Sequence, residues 1–230
     1  MNIFGQPDSY SDMLERIFAF SIVTGLICTV VLSDASPALK DFLNSLKTAA
    51  DIGPVKGIKA LYVLIPLILA FFSRVVKLHD RISDLIGIRH GFDTRFILYP
   101  LATGSGTTLT DVLKRKIAKN RVKMMYAVFY PYASFRDPKI DRQLVQTSAD
   151  QWGWYWVFLE STFVFAVTTT ILLFIGRNDH ARICFMVILV ELVFLLFLGF
   201  ACRRNAKPQI DAILADGSRM SAIASEFQRL

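Results

Sequence analysis

The sequence predicts a mainly α, polytopic membrane protein, with four transmembrane helices in two pairs and an intervening basic cytoplasmic domain. Three observations carry that reading. Residues 17–33, 59–76, 154–176 and 183–202 form long apolar stretches in a chain of 230 residues that is 53% hydrophobic. Residues 74–150, between the two pairs, hold fourteen Lys/Arg against seven Asp and no Glu, so the net charge of +7 resides there. The run Trp152, Trp154, Tyr155 and Trp156 stands at the start of the third stretch, where amphipathic rings mark a water–lipid boundary.

Length and interruption justify each span in turn. A bilayer core of about 30 Å takes roughly 20 apolar residues as a helix, and the third and fourth stretches reach that length. The first contains only Ser and Thr as polar residues, and the second carries Lys59 and Arg74 at its ends, placed to snorkel. Asp8, Asp12 and Glu15 outweigh Arg16 ahead of the first stretch, so it is expected to remain as a span rather than to leave as a signal peptide. A mean hydropathy of +0.44 excludes an ordinary soluble domain. The basic block together with the five Lys/Arg after Cys202 accounts for nineteen of the twenty-six, which assigns both segments to the cytoplasm. Both termini then lie inside, and the expected location is a bacterial inner membrane. The expected divisions are an N-terminal helix pair over 1–76, a basic cytoplasmic domain over 77–152, a second helix pair over 153–203 and a cytoplasmic tail over 204–230.

Between the first two spans, Ser36 followed by Pro37 predicts an amphipathic helix with Leu39, Phe42, Leu43, Leu46 and Ala50 on one face, closed by Gly53-Pro54. It suits the outer membrane surface and the outer ends of a bundle equally. Past Arg74, the spacing of Val75, Leu78, Ile82, Leu85 and Ile86 predicts that the second span projects as one continuous helix to about Ile88. Residues 89–102 are mixed in character and interrupted by Pro100, and read as a short extended or turn-rich piece. A Gly-rich loop over 103–108 then leads to a helix over 109–130, with Thr108 and Asp111 in the form of a capping box. Residues 141–148 predict one further helical turn.

Several residues are candidates for function. Glu191 lies near the middle of the last span, where an acid costs a few kcal/mol even on a lenient scale. Three readings stand for it: a carboxylate lining a pore or cation site, a protonated acid hydrogen-bonded within the bundle, and half of an ion pair. Glu160, about two turns inside the third span, lies within reach of Arg74 or Arg203. If several protomers assemble, one glutamate per chain becomes a ring that attracts cations, so a homo-oligomer belongs to this reading. Gly104, Ser105 and Gly106 precede a helix, an arrangement that holds phosphate, although the lysine of a P-loop is missing and a plain hinge reads as well. Lys114, Arg115, Lys116, Lys119, Arg121 and Lys123 put six cations within ten residues, and Arg89, His90 and Arg95 form a second cluster. Together they suit an anionic ligand, either a nucleotide or an oligonucleotide, while anionic membrane lipid or a cytosolic protein partner answers to the same charge. His79 reads as part of a solvated helix face and His180 as part of the outer turn. Cys28, Cys184 and Cys202 read as small apolar residues. The chain has no HExxH or GxSxG pattern and no metal-ligand spacing, so no enzymatic activity, cofactor or metal is expected.

In layout, with two helix pairs around the block from Arg74 to Asp150 that contains Phe92-Asp93 to Leu98 and the Gly104-Ser105-Gly106 loop, the chain resembles the small four-span membrane effectors of bacterial anti-phage systems such as Hailong or Kiwa. The resemblance is architectural. It implies a homo-oligomer in the inner membrane that a cytoplasmic signal opens, depolarising the cell. The leading expectation is therefore an oligomeric membrane channel or disrupter gated by a cytoplasmic anionic ligand. The alternatives are a membrane scaffold that recruits a cytosolic partner or anionic lipid, and a small cation-coupled transporter.

Overall fold

A computed structural model describes residues 4–45 and 60–230. Its elements are α1 (Tyr10–Ala35), α2 (Pro37–Ser45), α3 (Ala60–Val76), α4 (Leu78–Leu85), α5 (Ile88–Phe92), a π-helical turn (Asp93–Leu98), α6 (Tyr99–Gly104), α7 (Asp111–Lys119), α8 (Arg121–Val128), α9 (Arg142–Phe174), α10 (Asn178–Leu214) and α11 (Gly217–Gln228). The chain is mainly α, and no strand occurs among the described residues. Three of these helices, α1, α9 and α10, are long and apolar enough to cross a membrane, and α3 with α4 makes a fourth if the bent pair is one span.

Two compact units form. The first comprises Met1–Phe4, Leu14–His79 and Gly153–Phe197, and the second Gly5–Met13, Asp80–Trp152 and Leu198–Leu230. In the first unit Cys28, Ala35, Phe165, Leu172, Ala181 and Cys184 are buried against one another from α1, α9 and α10. On α10 the inward positions Cys184, Ile188, Glu191 and Leu195 repeat at four and three residues, while Ile183, Met186, Val190, Val193 and Phe197 stay exposed. That second stripe is an apolar face of the kind that lipid covers. Gly176, at φ +74°, closes α9 in a Schellman motif: its own N–H donates to Leu173 and that of Arg177 to Leu172. The turn to α10 is correspondingly short. Gly25 lets α1 approach α3 at the buried Pro66, since a Cβ there would lie 3.1 Å from the Pro66 Cβ and 3.3 Å from its Cα. In the second unit the π-helical turn packs against α5, α6, α7 and α8, and α11 closes over α6 and α8 with Ile223 and Phe227 buried.

Several sequence expectations change. The second span does not continue to Ile88, because Lys77 takes φ +50° and α4 leaves α3 at a bend of 61°. Apolar spacing carries across such a break, since Val75, Leu78 and Ile82 keep their intervals whether or not the residue between them is helical. Residues 89–102 are helical rather than extended. Pro100 sits in the first turn of α6, where its missing N–H is tolerated, and just before it the helix widens so that the N–H of Tyr99 donates to Thr94, five residues back. The helix over 109–130 is two helices parted at Asn120, and its N-cap is Thr110, whose hydroxyl accepts from the N–H of Leu113 at 3.2 Å. Residues 142–148 are no separate turn but the start of the 33-residue α9. For the amphipathic helix, Ser36 caps α2 and Leu43 is buried while Phe42 is exposed. Leu46, Ala50 and Gly53-Pro54 lie outside the described residues.

The α1–α3 approach yields a stability prediction. Gly25→Leu forces α1 off Pro66 and should lower stability by about 1–3 kcal/mol, read as a fall in the unfolding midpoint of the detergent-solubilised protein.

Candidate functional site

The best-defined polar site lies within the first unit, around Glu160 of α9. Its side chain is 3% exposed, and donors from three other elements converge on it. Ser21 of α1 and Ser73 of α3 donate their hydroxyls to Oε2 at 2.8 and 2.9 Å. The peptide N–H of His79, second residue of α4, donates to Oε1 at 3.0 Å, and His79 Nδ1 lies 3.1 Å from the same oxygen. Glu160 thus caps α4 from another helix, where the positive end of the helix dipole favours an anion. The break at Lys77 makes this possible, because it frees the α4 peptide N–H groups from the preceding turn. A cavity of about 10 Å³ adjoins the carboxylate, bordered also by Ile17, Ala70 and Arg74, which is room for one water.

Arg74 does not pair with Glu160, and its guanidinium stacks 5.6 Å from the Phe18 ring centre. Arg203 likewise stacks on Phe96 at 4.9 Å. The partner of Glu160 is His79, which is 1% exposed rather than part of a solvated face. The ring of His79 also lies 5.6 Å from that of Trp156. The aromatic run turns inward here: Tyr155 and Trp156 are buried, and Trp154 packs on Phe4 and Phe20 with Arg16 over its ring.

Glu191 belongs to the next level of the same bundle. Ser161 donates to its Oε1 at 2.5 Å and Thr162 to its Oε2 at 3.0 Å, while Ser161 also bonds Thr24 of α1 at 3.1 Å. Glu191 therefore faces its own chain's bundle interior at 8% exposure, so the expectation of a ring about an oligomer axis is not what this geometry offers. Beyond it the Cys28 thiol meets the Thr168 hydroxyl, and at the far end His180 Nε2 lies 3.2 Å from Asp34 Oδ2. From Ser21 through Thr24 and Cys28 to Asp34, α1 thus carries polar groups at successive levels. The sequence reading missed Ser21, Ser73, His79, Thr24, Ser161 and Thr162. For Ser21 and Thr24 the signal was the three- and four-residue spacing of small residues with Cys28 on α1; the others carried none.

The expected anionic-ligand residues lie in the second unit and only partly converge. Arg89 and Arg121 come together, but around carboxylates: Arg89 bonds Asp80 at 2.6 Å, and Arg121 bonds Asp84 at 3.0 Å and Asp93 at 3.1 Å. Burial pushes the Asp93 carboxyl up to about 6, against the opposing pull of Arg121 and Arg89. Lys114 bonds Asp111, and Lys116 bonds the Leu230 oxygen. His90 and Arg95 are exposed, as are Arg115, Lys119 and Lys123. Gly104, Ser105 and Gly106 do not form a phosphate cradle. Gly106, at φ +84°, closes α6 in a Schellman motif in which the N–H of Thr107 donates to Ala102 and that of Gly106 to Thr103. The N–H of Ser105 donates to Leu101. The amides that would hold phosphate are occupied, at the C-terminus of a helix rather than an N-terminus. Among the described residues, no group of His, Cys, Asp or Glu is arranged to hold a metal ion.

The profile of the YmfE protein family matches residues 9–226. The chain belongs to the YmfE protein family. It is 20% identical over 217 residues to the uncharacterized protein YmfE of Escherichia coli (strain K12), covering 87% of this chain and 84% of that protein. No solved structure matches it. Nothing in these matches joins the chain to the Hailong or Kiwa effectors.

Two measurements probe the charged groups. Glu160→Ala leaves several buried donors without their acceptor and should cost about 3 kcal/mol or more, whereas Glu160→Gln keeps an acceptor for the His79 N–H and should cost clearly less, both read by chemical unfolding in detergent. For Asp93, whose carboxyl rises from 3.8 to about 6 on folding, the native state holds a proton between about pH 4 and 6 that the unfolded chain has released. Stability should therefore fall as pH rises through that window, by about 3 kcal/mol at most, and Asp93→Asn should flatten the slope.

Proposed function

We propose that this protein passes protons across a membrane, with Glu160 as the carboxylate on which the proton must halt. The observation that supports this reading is the Glu160 site itself: an acid buried among hydroxyls and a histidine, beside a one-water cavity, at a broken helix. Broken helices with a polar group at the break are how transport proteins build ion sites inside a bilayer. A cavity of about 10 Å³ is too small for a larger cation with its ligands but accepts the water that relays a proton. Hydroxyls and carboxylates can both give and accept protons, so the levels at Thr24, Ser161 and Glu191 continue the route. In this reading several copies assemble through the exposed apolar faces of α3 and α10, and the proton leaks through each copy without a further signal. Such a leak would depolarise a cell, which is the role that the likeness in layout to anti-phage effectors brings to the proposal.

The experiment is proton flux into proteoliposomes carrying a trapped pH dye. Wild-type protein should acidify the lumen faster than protein-free vesicles, and Glu160→Gln should slow that flux on the order of 100-fold. Wild-type flux equal to that of empty vesicles, or an undiminished rate in the variant, would sink the reading.

A further inference from the structure

One face of the α7–α8 pair sets its charges apart from the rest of the basic block. Ile117, Met124, Met125 and Val128 are buried at helical spacing on one side, and the kink at Asn120 does not disturb that order. The opposite side presents Val112, Arg115, Lys119, Val122, Lys123 and Tyr126, all exposed. Val112, Val122 and Tyr126 are 62%, 56% and 68% exposed, an unusual display of large apolar groups on an otherwise charged pair of helices. The neighbouring cations are neutralised within the fold, Lys114 by Asp111 and Arg121 by Asp84 and Asp93. Among the described residues, Arg115, Lys119 and Lys123 have no such carboxylate.

Long-stemmed cations alternating with apolar side chains along one helical face form the pattern that rests on a charged bilayer surface, with the stems and apolar groups in the interface and the charges at the phosphates. A nucleic acid answers the charges but gives the valines little to contact. The chain also carries at least three membrane-length helices, so a lipid surface is always at hand. The geometry points to an anionic phospholipid surface as the occupant of the Val112–Tyr126 face, with Arg115, Lys119 and Lys123 at the headgroup phosphates and Val112, Val122 and Tyr126 inserted between them. This inference does not depend on proton transfer at Glu160.

Full-length Val122→Cys carrying a polarity-sensitive dye tests it, because Cys28, Cys184 and Cys202 are all buried and leave the new thiol as the accessible one. In nanodiscs of phosphatidylcholine with phosphatidylglycerol, emission should shift to the blue relative to phosphatidylcholine alone. Adding Arg115→Glu, Lys119→Glu and Lys123→Glu should abolish that shift. Identical emission of the single variant in the two bilayers overturns the inference without recourse to the triple variant. A blue shift produced in phosphatidylcholine nanodiscs by single-stranded RNA overturns it too, and makes nucleic acid the occupant.

Discussion

A carboxylate inside a helical bundle must be given hydrogen bonds, and the first unit is organised around that requirement at Glu160. A buried ionised acid without partners costs far more than any single packing contact returns. Its donors come from α1, α3 and α4, so the site is complete only when these helices meet α9. The break at Lys77 is part of the same constraint. Had α3 continued straight, the N–H of His79 would have bonded the carbonyl of Val75, and Glu160 would have lost its peptide donor. The left-handed residue at Lys77 is an unfavourable conformation for a side chain with a Cβ. The exchange of one backbone geometry for a charge-assisted cap accounts for its presence.

The levels beyond Glu160 follow the same logic with weaker groups. Ser, Thr and Cys let helices approach closely while offering a hydrogen bond, which is how helices associate where lipid supplies no hydrophobic drive. On α1 these residues share a face with Gly25, and on α10 the inward stripe contains Cys184 and Glu191. Among the described residues, Glu191 has two hydroxyl donors and no peptide or imidazole donor. The two acids therefore sit in unlike surroundings, one at a helix break with a charged-capable partner and one among hydroxyls alone.

The helical class and the long apolar stretches were legible because periodicity and hydropathy are local properties. Glu160 and Glu191 were legible as anomalies, since an acid in an apolar run needs an explanation wherever the run folds. What could not be read was the partner. His79 stands two residues beyond Lys77, and only the bend turns its N–H and ring toward a residue eighty-one positions away. The π-helical turn escaped for a related reason: Phe92 and Ile97 lie five apart, an interval that fits neither a helix nor a strand, and Pro100 suggested an ending where it marks a beginning. The Gly-Ser-Gly loop shows the opposite error. Glycines ahead of a helix look like an anion cradle, yet the same residues terminate the helix behind them, and only the direction of the N–H groups decides between the two.

Charge gives the last step. A net charge of +7 is a sum over the chain, and it is uninformative about what any one surface displays. Asp80 and Asp84 ride on α4, the helix that Glu160 caps, and there they hold Arg89 and Arg121. Asp93, in the π-helical turn, also holds Arg121, and its carboxyl, pushed up to about 6 by burial, is still mostly ionised at neutral pH. Asp80, Asp84 and Asp93 thus gather on α4 and the π-helical turn around two of the block's arginines. Pairing consumes the positive charge there and leaves it on the outer face of α7 and α8, where Val112, Val122 and Tyr126 break the polar surface. The block's meaning lies in this separation: the fold uses some of the charge to hold itself together and presents Arg115, Lys119 and Lys123 beside apolar groups that an aqueous surface does not require.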